Sequence, residues 1–225
     1  MGKQTKLWYL QNFNLFTSLK EKSMEEMSKM TSMRTSSKKE IIYFPDEPSN
    51  TIYFLKEGKV KLSRISPDGQ TTTLHLVGPG EIFGESAILG QEKRENFAEV
   101  VEDAVICSIP KEQFQEVIAK NPELNLSITK FIGFRMRRIQ AQVEDLVFKT
   151  ARERIESFIR RYVKDFGKEL IDGWVVRPFL THQEIANLTA TTRQTASTIL
   201  NDLVREGVIK YTRGYLKVTS RKWLK

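Results

Sequence analysis

Four polar side chains near the C-terminus, Arg193, Gln194, Ser197 and Thr198, fall at spacings that place them together on one face of a helix. Their chemistry suits the edges of base pairs. A guanidinium can pair in a bidentate manner with guanine O6 and N7, a carboxamide can do the same with adenine N6 and N7, and a hydroxyl can meet either kind of atom. A second group, Thr181, His182, Gln183, Thr192 and Thr195, sits where two helices should begin. Hydroxyls, amides and backbone N–H groups at helix N-termini suit phosphate oxygens, which position a partner without specifying its sequence. The plain alternatives are a solvated polar face, or a face used against another protein. For His182 the alternative is an exposed first-turn residue of no consequence.

Local signals supply the elements that would hold these groups. Thr181-His182-Gln183-Glu184 has the spacing of a capping box and opens a helix over residues 183–188. The turn Thr189-Ala190-Thr191 leads to a second helix with a polar start and an apolar face of Ala196, Ile199, Leu200, Leu203 and Val204. Gly207 ends it as a C′ residue. Residues 208–211 and 215–218, joined by Thr212-Arg213-Gly214, read as a β-hairpin. Two helices on a tight turn followed by a hairpin make a winged helix-turn-helix.

Upstream the texture changes twice. Leu15, Phe16, Leu19, Met24, Met27 and Met30 suggest short amphipathic helices, which Ser and Thr residues at 31–37 interrupt. From Glu40 to Ile109 short β runs are expected at 41–44, 51–55, 59–65, 71–77, 81–83, 97–101 and 104–109. Turn chemistry separates them: Pro45-Asp46-Glu47-Pro48, Glu57-Gly58, Pro67-Asp68-Gly69 and Gly78-Pro79-Gly80. Many short strands at this spacing imply an antiparallel β-roll of jelly-roll type. A short helix at 113–119 follows, and then Asn121-Pro122-Glu123 starts a long one. Leu124, Ile128, Phe131, Ile132, Met136, Ile139, Val143 and Leu146 recur at three and four residues, a stripe of about 40 Å at 1.5 Å per residue. The stripe either packs within the chain or pairs with its own copy across a two-fold axis, and the second is preferred because a small β domain cannot cover such a length. Thr150-Ala151-Arg152-Glu153 is another capping box, so a break and a hinge are expected at 148–150. The fold class is therefore α+β, with an antiparallel β-roll domain over 1–120, a long helix expected to dimerise over 121–149 and the winged helix over 150–225.

Composition narrows the class. The 225 residues are 40% hydrophobic and 28% charged, as in an ordinary globular chain. Residues 1–120 carry 16 basic and 17 acidic side chains, whereas residues 121–225 carry 20 and 11, so the net charge of +8 lies in the second half. A basic half joined to a neutral one points to a polyanion. No stretch approaches the roughly 20 apolar residues of a membrane span. The N-terminus from Met1 to Leu10 lacks an apolar core of signal-peptide length, and a cytoplasmic location without membrane contact is expected. With one cysteine, Cys107, and two histidines, His75 and His182, neither a structural zinc site nor a four-cysteine cluster can form, and no metal is expected. Cys107 sits in the apolar run Val105-Ile106-Cys107-Ser108-Ile109 and reads as a core residue. No Ser/His/Asp set, Walker motif or metal-ligand cluster appears, so an enzyme is not expected.

Four stretches in this order resemble the CRP/FNR superfamily of bacterial transcription regulators, over nearly the whole chain. They are Phe54-Leu55-Lys56-Glu57-Gly58-Lys59-Val60-Lys61, Gly78-Pro79-Gly80-Glu81-Ile82-Phe83-Gly84-Glu85, Thr181-His182-Gln183-Glu184-Ile185-Ala186 and Thr192-Arg193-Gln194-Thr195-Ala196-Ser197-Thr198-Ile199-Leu200. The resemblance implies a homodimer that binds a two-fold symmetric operator in double-stranded DNA and contacts RNA polymerase. It assigns base reading to Arg193, Gln194, Ser197 and Thr198. Gln194 replaces the usual glutamate, Thr198 the usual arginine, and Ala190 stands where the turn often carries glycine. Loss of the glutamate removes an acceptor suited to cytosine N4, so an operator unlike the well-known consensus sites is expected.

The same resemblance implies an effector site. Cyclic-nucleotide-binding members hold ribose and phosphate with a Gly-Glu turn and a later Arg-Ser/Thr pair. Here Gly84-Glu85-Ser86 keeps the turn, and Arg94 keeps the phosphate partner, but Glu95 replaces the small hydroxyl residue. Its carboxylate would repel a phosphodiester and could neutralise Arg94 internally. Ile139 and Gln140 stand where the cyclic-AMP receptor has hydroxyl residues facing the base. Cyclic AMP is therefore not the expected ligand. Either an unidentified small-molecule effector occupies the β-roll or Gly84-Glu85 is only a turn kept for the fold. A sensor whose winged helix contacts protein instead of DNA is the alternative function, and a weak dependence on salt would mark it.

Overall fold

The computed structural model describes residues 6–11, 13–69, 71–212, 214–220 and 222–224, and divides into two compact units, Met1–Arg138 and Ile139–Lys225. In the first, α1 (Lys6–Gln11) and α2 (Glu21–Met30) precede the strands β1 (Ser32–Ser36), β2 (Ile41–Tyr43), β3 (Thr51–Ile65), β4 (Thr71–Val77), β5 (Ile82–Phe83) and β6 (Phe97–Pro110). All pair antiparallel in the order β1–β6–β3–β4, with β2 also on β6 and β5 also on β3. Then come α3 (Lys111–Lys120) and α4 (Pro122–Phe148), the long helix, whose first part belongs to this unit.

The two-residue period of β3 sends Phe54 and Leu55 to opposite faces of the sheet. Phe54 meets Phe13, Phe16 and Phe114, with ring centroids 5.8, 5.0 and 5.5 Å away, in a layer completed by Met24, Met27, Leu124 and Ile128. Leu55 joins Val60, Leu62, Val77, Phe83, Val100 and Ile106 in a second layer. Each fully buried side chain of this size contributes about 1.5–3 kcal/mol of transfer energy.

Two expected breaks in the sheet are absent. The runs at 51–55 and 59–65 form one strand, as do those at 97–101 and 104–109. Glu57-Gly58 is a bulge within β3, where the pairing with β6 shifts register, and not a turn. Gly58 has φ +85°, and a Cβ there would lie 2.3 Å from the Asp103 carbonyl oxygen, so only glycine fits. Conversely, the Ser/Thr stretch that reads as an interruption contains β1, paired along β6.

The apolar stripe of α4 serves two purposes. Leu124 and Ile128 are buried in the core of the first unit, and Phe131 and Ile132 pack partly against it. Leu124 and Ile128, expected in a dimer seam, are instead buried within their own unit, because α2, α3 and the sheet already flank this part of the helix, whereas Phe131 and Ile132 are only half-buried there. Met136, Ile139, Val143 and Leu146 are exposed, and Phe148 is 80% exposed.

In the second unit α4 ends at Phe148, and α5 (Ala151–Phe166) starts after Thr150, so the helix breaks at 148–150. Thr150 N–H donates to Glu153 Oε2 at 2.8 Å, and Glu153 N–H donates back to Thr150 Oγ1 at 3.3 Å. There follow β7 (Lys168–Leu170), β8 (Gly173–Val176), α6 (His182–Thr189), α7 (Arg193–Arg205), β9 (Ile209–Thr212) and β10 (Tyr215–Val218). β7 and β8 form an antiparallel hairpin, which extends the wing to a four-stranded sheet, β7–β8–β10–β9. α5 packs on α6 and α7, and its Ile155, Phe158, Ile159 and Val163 are buried, as are Ile185 of α6 and Ala196, Leu200 and Leu203 of α7. Among the described residues no helix is long and apolar enough to cross a membrane.

Candidate nucleic-acid interface and effector pocket

Helices α6 and α7 of the second unit both begin on side-chain caps. Thr181 Oγ1 accepts from Glu184 N–H at 3.2 Å, and Glu184 Oε2 accepts from Thr181 N–H at 2.7 Å. Thr192 Oγ1 accepts from Thr195 N–H at 3.0 Å and lies 2.8 Å from Thr195 Oγ1. The hydroxyls of Thr181, Thr192 and Thr195 are thus engaged in their own helix starts, each such cap contributing about 1 kcal/mol. The 3.6-residue period buries Ala196, Ile199, Leu200 and Leu203 of α7. It leaves Arg193, Gln194 and Thr198 exposed and Ser197 half-buried.

A cleft of 620 Å³ lies beside this face, lined by Phe179, Thr181, His182, Gln183, Arg193, Tyr211 and neighbouring residues. Tyr211, from β9, donates its hydroxyl to Asn201 Oδ1 of α7 at 3.0 Å. Its ring centroid lies 5.4 Å from Phe179 and 5.5 Å from His182. Sequence reading missed both Tyr211 and Asn201, since nothing in their spacing shows that a wing strand meets the third turn of α7. Burial, and then the positive charge of Arg193, hold His182 below its ordinary titration range, so the imidazole is neutral at pH 7. Arg213, placed by the sequence in the wing turn, lies outside the described residues.

The effector residues of the first unit are organised differently. Arg94 is only 3% exposed. Its Nη1 donates to the Gly84 carbonyl at 3.0 Å, and its Nη2 donates to the Thr51 carbonyl. Its guanidinium lies 4.5 Å from the centroid of the Tyr43 ring, a cation–π contact, while its buried Nε has no partner among the described residues. Tyr43, Tyr53 and Phe83 stack around it, with Tyr53 and Phe83 centroids 4.9 Å apart. Burial raises the Tyr43 phenol well above its usual range, and Arg94 only partly offsets this. Gly84 is left-handed at φ +72°, and a Cβ there would sit 2.8 Å from Arg94 Nη1, so the glycine makes room for the guanidinium.

Glu85 pairs with Arg135 of α4 at 2.8 Å, and Ser86 Oγ lies 3.4 Å from Ser49 Oγ. Glu95 does not neutralise Arg94. It is exposed, faces Arg64 at 3.6 Å and accepts from Gln91 at 3.2 Å, while the Arg94 guanidinium points inward onto the Gly84 and Thr51 carbonyls. Ile139 and Gln140 are exposed residues of the second unit. Close to Glu85 lies a cavity of 390 Å³ whose lining includes His75, Glu81, Lys130, Phe131, Arg135 and Arg138. Glu81 accepts from Gly78 N–H at 2.7 Å and from Arg138 at 3.3 Å. Burial works to raise its pKa, but His75, the Gly78 N–H and Arg138 outweigh it and hold the carboxyl below its ordinary range. Among the described residues no group of His, Cys, Asp and Glu could hold a metal ion.

Residues 33–121 match the family described as cyclic nucleotide-binding domain, and residues 153–225 match the Crp-like helix-turn-helix domain. The chain is 34% identical over 186 residues to the transcriptional regulator LdrP of Thermus thermophilus, covering 82% of this chain and 91% of that one. It is 30% identical over 179 residues to the global nitrogen regulator of Nostoc sp., covering 79% and 80%. The crystal structure of a CRP-family transcriptional regulator from Thermus thermophilus superposes with a TM-score of 0.71 at 30% identity, over 85% of this chain and 94% of that one.

Proposed function

The chain belongs to the CRP/FNR family of transcription regulators, which are DNA-binding proteins and not enzymes, and on that premise we propose that two copies join along the exposed half of α4 and read a two-fold symmetric operator. The single observation that carries this reading is α7, a capped amphipathic helix that buries its apolar stripe and presents Arg193, Gln194 and Thr198 to solvent. In a dimer the two copies of α7 would lie about 34 Å apart, in successive major grooves on one face of the duplex. Arg193 takes guanine, Gln194 takes adenine, and Ser197 and Thr198 read flanking positions. Thr181, His182, Gln183, Thr192 and Thr195 lie against phosphates, with backbone N–H groups the principal donors where hydroxyls are held in caps. Met136, Ile139, Val143 and Leu146 form the seam. The protein works in the cytoplasm with RNA polymerase as a further partner.

The effector, in this reading, is a small molecule other than a cyclic nucleotide. A cyclic phosphodiester needs an available guanidinium, and that of Arg94 is turned into the β layer on two backbone carbonyls. A ribose hydroxyl needs the Glu85 carboxylate, which Arg135 holds. The ligand would shift the population of arrangements about the break at 148–150, and so gate operator binding. Selection of a symmetric duplex from a random pool, followed by titration of affinity against salt, tests the function. The expected slope of log affinity on log salt is steep and negative. A flat slope and no enriched sequence would favour a winged helix that contacts protein.

A further inference from the structure

The recognition helix follows a turn that its residues do not favour. Ala190 ends α6 in the left-handed region, at φ 49° and ψ 52°, which is costly for a residue with a Cβ. Arg154, in the first turn of α5, holds it there. Its Nε donates to the Thr189 carbonyl at 2.8 Å, its Nη2 to the Ala190 carbonyl at 3.1 Å and its Nη1 to the Lys149 carbonyl at 2.9 Å. The first two are terminal carbonyls of α6, and the third follows the last residue of α4. One guanidinium therefore caps two helix C-termini at once, each the negative end of a dipole. Its planar fork meets three acceptors that a compact ammonium could not reach together. A second contact braces the same junction. Asp145, near the end of α4 and buried, accepts from Arg161 of α5 at 2.6 Å and from Lys149 at 2.7 Å.

We propose that Arg154 is the positioning residue of the DNA-reading unit, fixing the angle between the end of the long helix and the α6–α7 turn. This rests on the reading of α7 as the recognition helix of a dimer. In a two-fold assembly that angle sets the separation of the two copies of α7, and hence the half-site spacing the protein accepts. Without the clamp each α6–α7 pair rocks. Base preference within a half-site survives, while spacing preference spreads.

The test uses the full-length protein. It selects duplexes from a random pool, and the selection is repeated with Arg154→Lys and Arg154→Gln. A wild type that enriches no symmetric sequence refutes the dimeric DNA reading, and the proposal with it, before any variant is compared. Given a wild-type operator, both variants are expected to keep the half-site bases and to widen the accepted spacer by about one base pair. Binding to the wild-type operator should fall about tenfold, while binding to a scrambled duplex at the same salt stays within about twofold. Arg154→Lys should lie between wild type and Arg154→Gln, since it keeps the charge but not the fork. An equal drop on both duplexes with an unchanged spacer overturns the proposal, as does no change at all. Failure of both variants to fold, judged by circular dichroism, also overturns it, because Arg154 is then required for the fold itself.

Discussion

The pocket of the first unit and the helix face of the second are built on opposite plans. Arg94, Glu85 and Glu81 are each held by partners from their own chain: carbonyls and a tyrosine ring for Arg94, arginines for the two carboxylates. Arg193, Gln194 and Thr198 stand on an exposed surface above a closed apolar stripe. The difference follows from solvation. A charge removed from water must be paired as the chain folds, so a pocket lined by buried ionisable groups closes on itself, and a ligand has to displace what is already there. A charge on a helix surface is satisfied by water and can wait for its partner.

Substitutions should separate the two plans. Arg94→Ala leaves the Gly84 and Thr51 carbonyls without their donor and empties a stacked site, and is expected to lower unfolding free energy by about 3–5 kcal/mol. Urea denaturation reads this, and a loss below about 1 kcal/mol would show that the pocket does not depend on its internal pairs. Arg193→Ala should do the reverse. Operator affinity falls by about 1–3 kcal/mol and one base position relaxes, while stability changes by less than about 0.5 kcal/mol. Fluorescence anisotropy on a panel of single-base variants checks it, and an unchanged preference at every position removes Arg193 from base reading. Thr181→Ala lies between the two plans. Loss of the α6 cap should cost about 1 kcal/mol of stability in thermal unfolding, and Thr181→Ser should restore most of it.

The smallest effect concerns pH. His182 has a folded pKa below its unfolded 6.5, so it favours the folded state fully above pH 6.5, and this advantage is lost as pH falls toward the lowered folded value. His182→Gln should flatten that part of the stability profile, measured by denaturation between pH 7 and the acid limb. A profile identical to wild type would place the imidazole in open solvent.

What could be read from the sequence was mainly what is decided within four residues. The boxes Thr150/Glu153 and Thr181/Glu184 announced their helix starts, and Gly207, left-handed at φ +73°, announced an end. The face of α7 followed from its 3.6-residue period. Features settled by distant partners did not show. Glu57-Gly58 has turn chemistry, and only the pairing of β3 with β6 makes it a bulge. Ser32–Ser36 is a strand because β6 offers an edge. Leu124 and Met136 are both apolar residues of one stripe, yet the first is buried in its own unit and the second exposed. The direction of Arg94, with Glu95 turned away from it, depends on the distant Gly84 and Thr51 carbonyls that receive its guanidinium and could not be inferred from two adjacent charges.

The division of the α4 stripe has a consequence for biogenesis. A nascent chain meets the partners of Leu124 and Ile128 as soon as they emerge, since α2, α3 and the sheet precede them in synthesis. Met136 through Phe148 emerge with their apolar side chains open to solvent. If two copies join along this face, as proposed above, maturation becomes a second-order step: at low expression the lone subunit would display an apolar helix that chaperones and proteases recognise, and its cellular level would depend on how quickly newly made subunits meet.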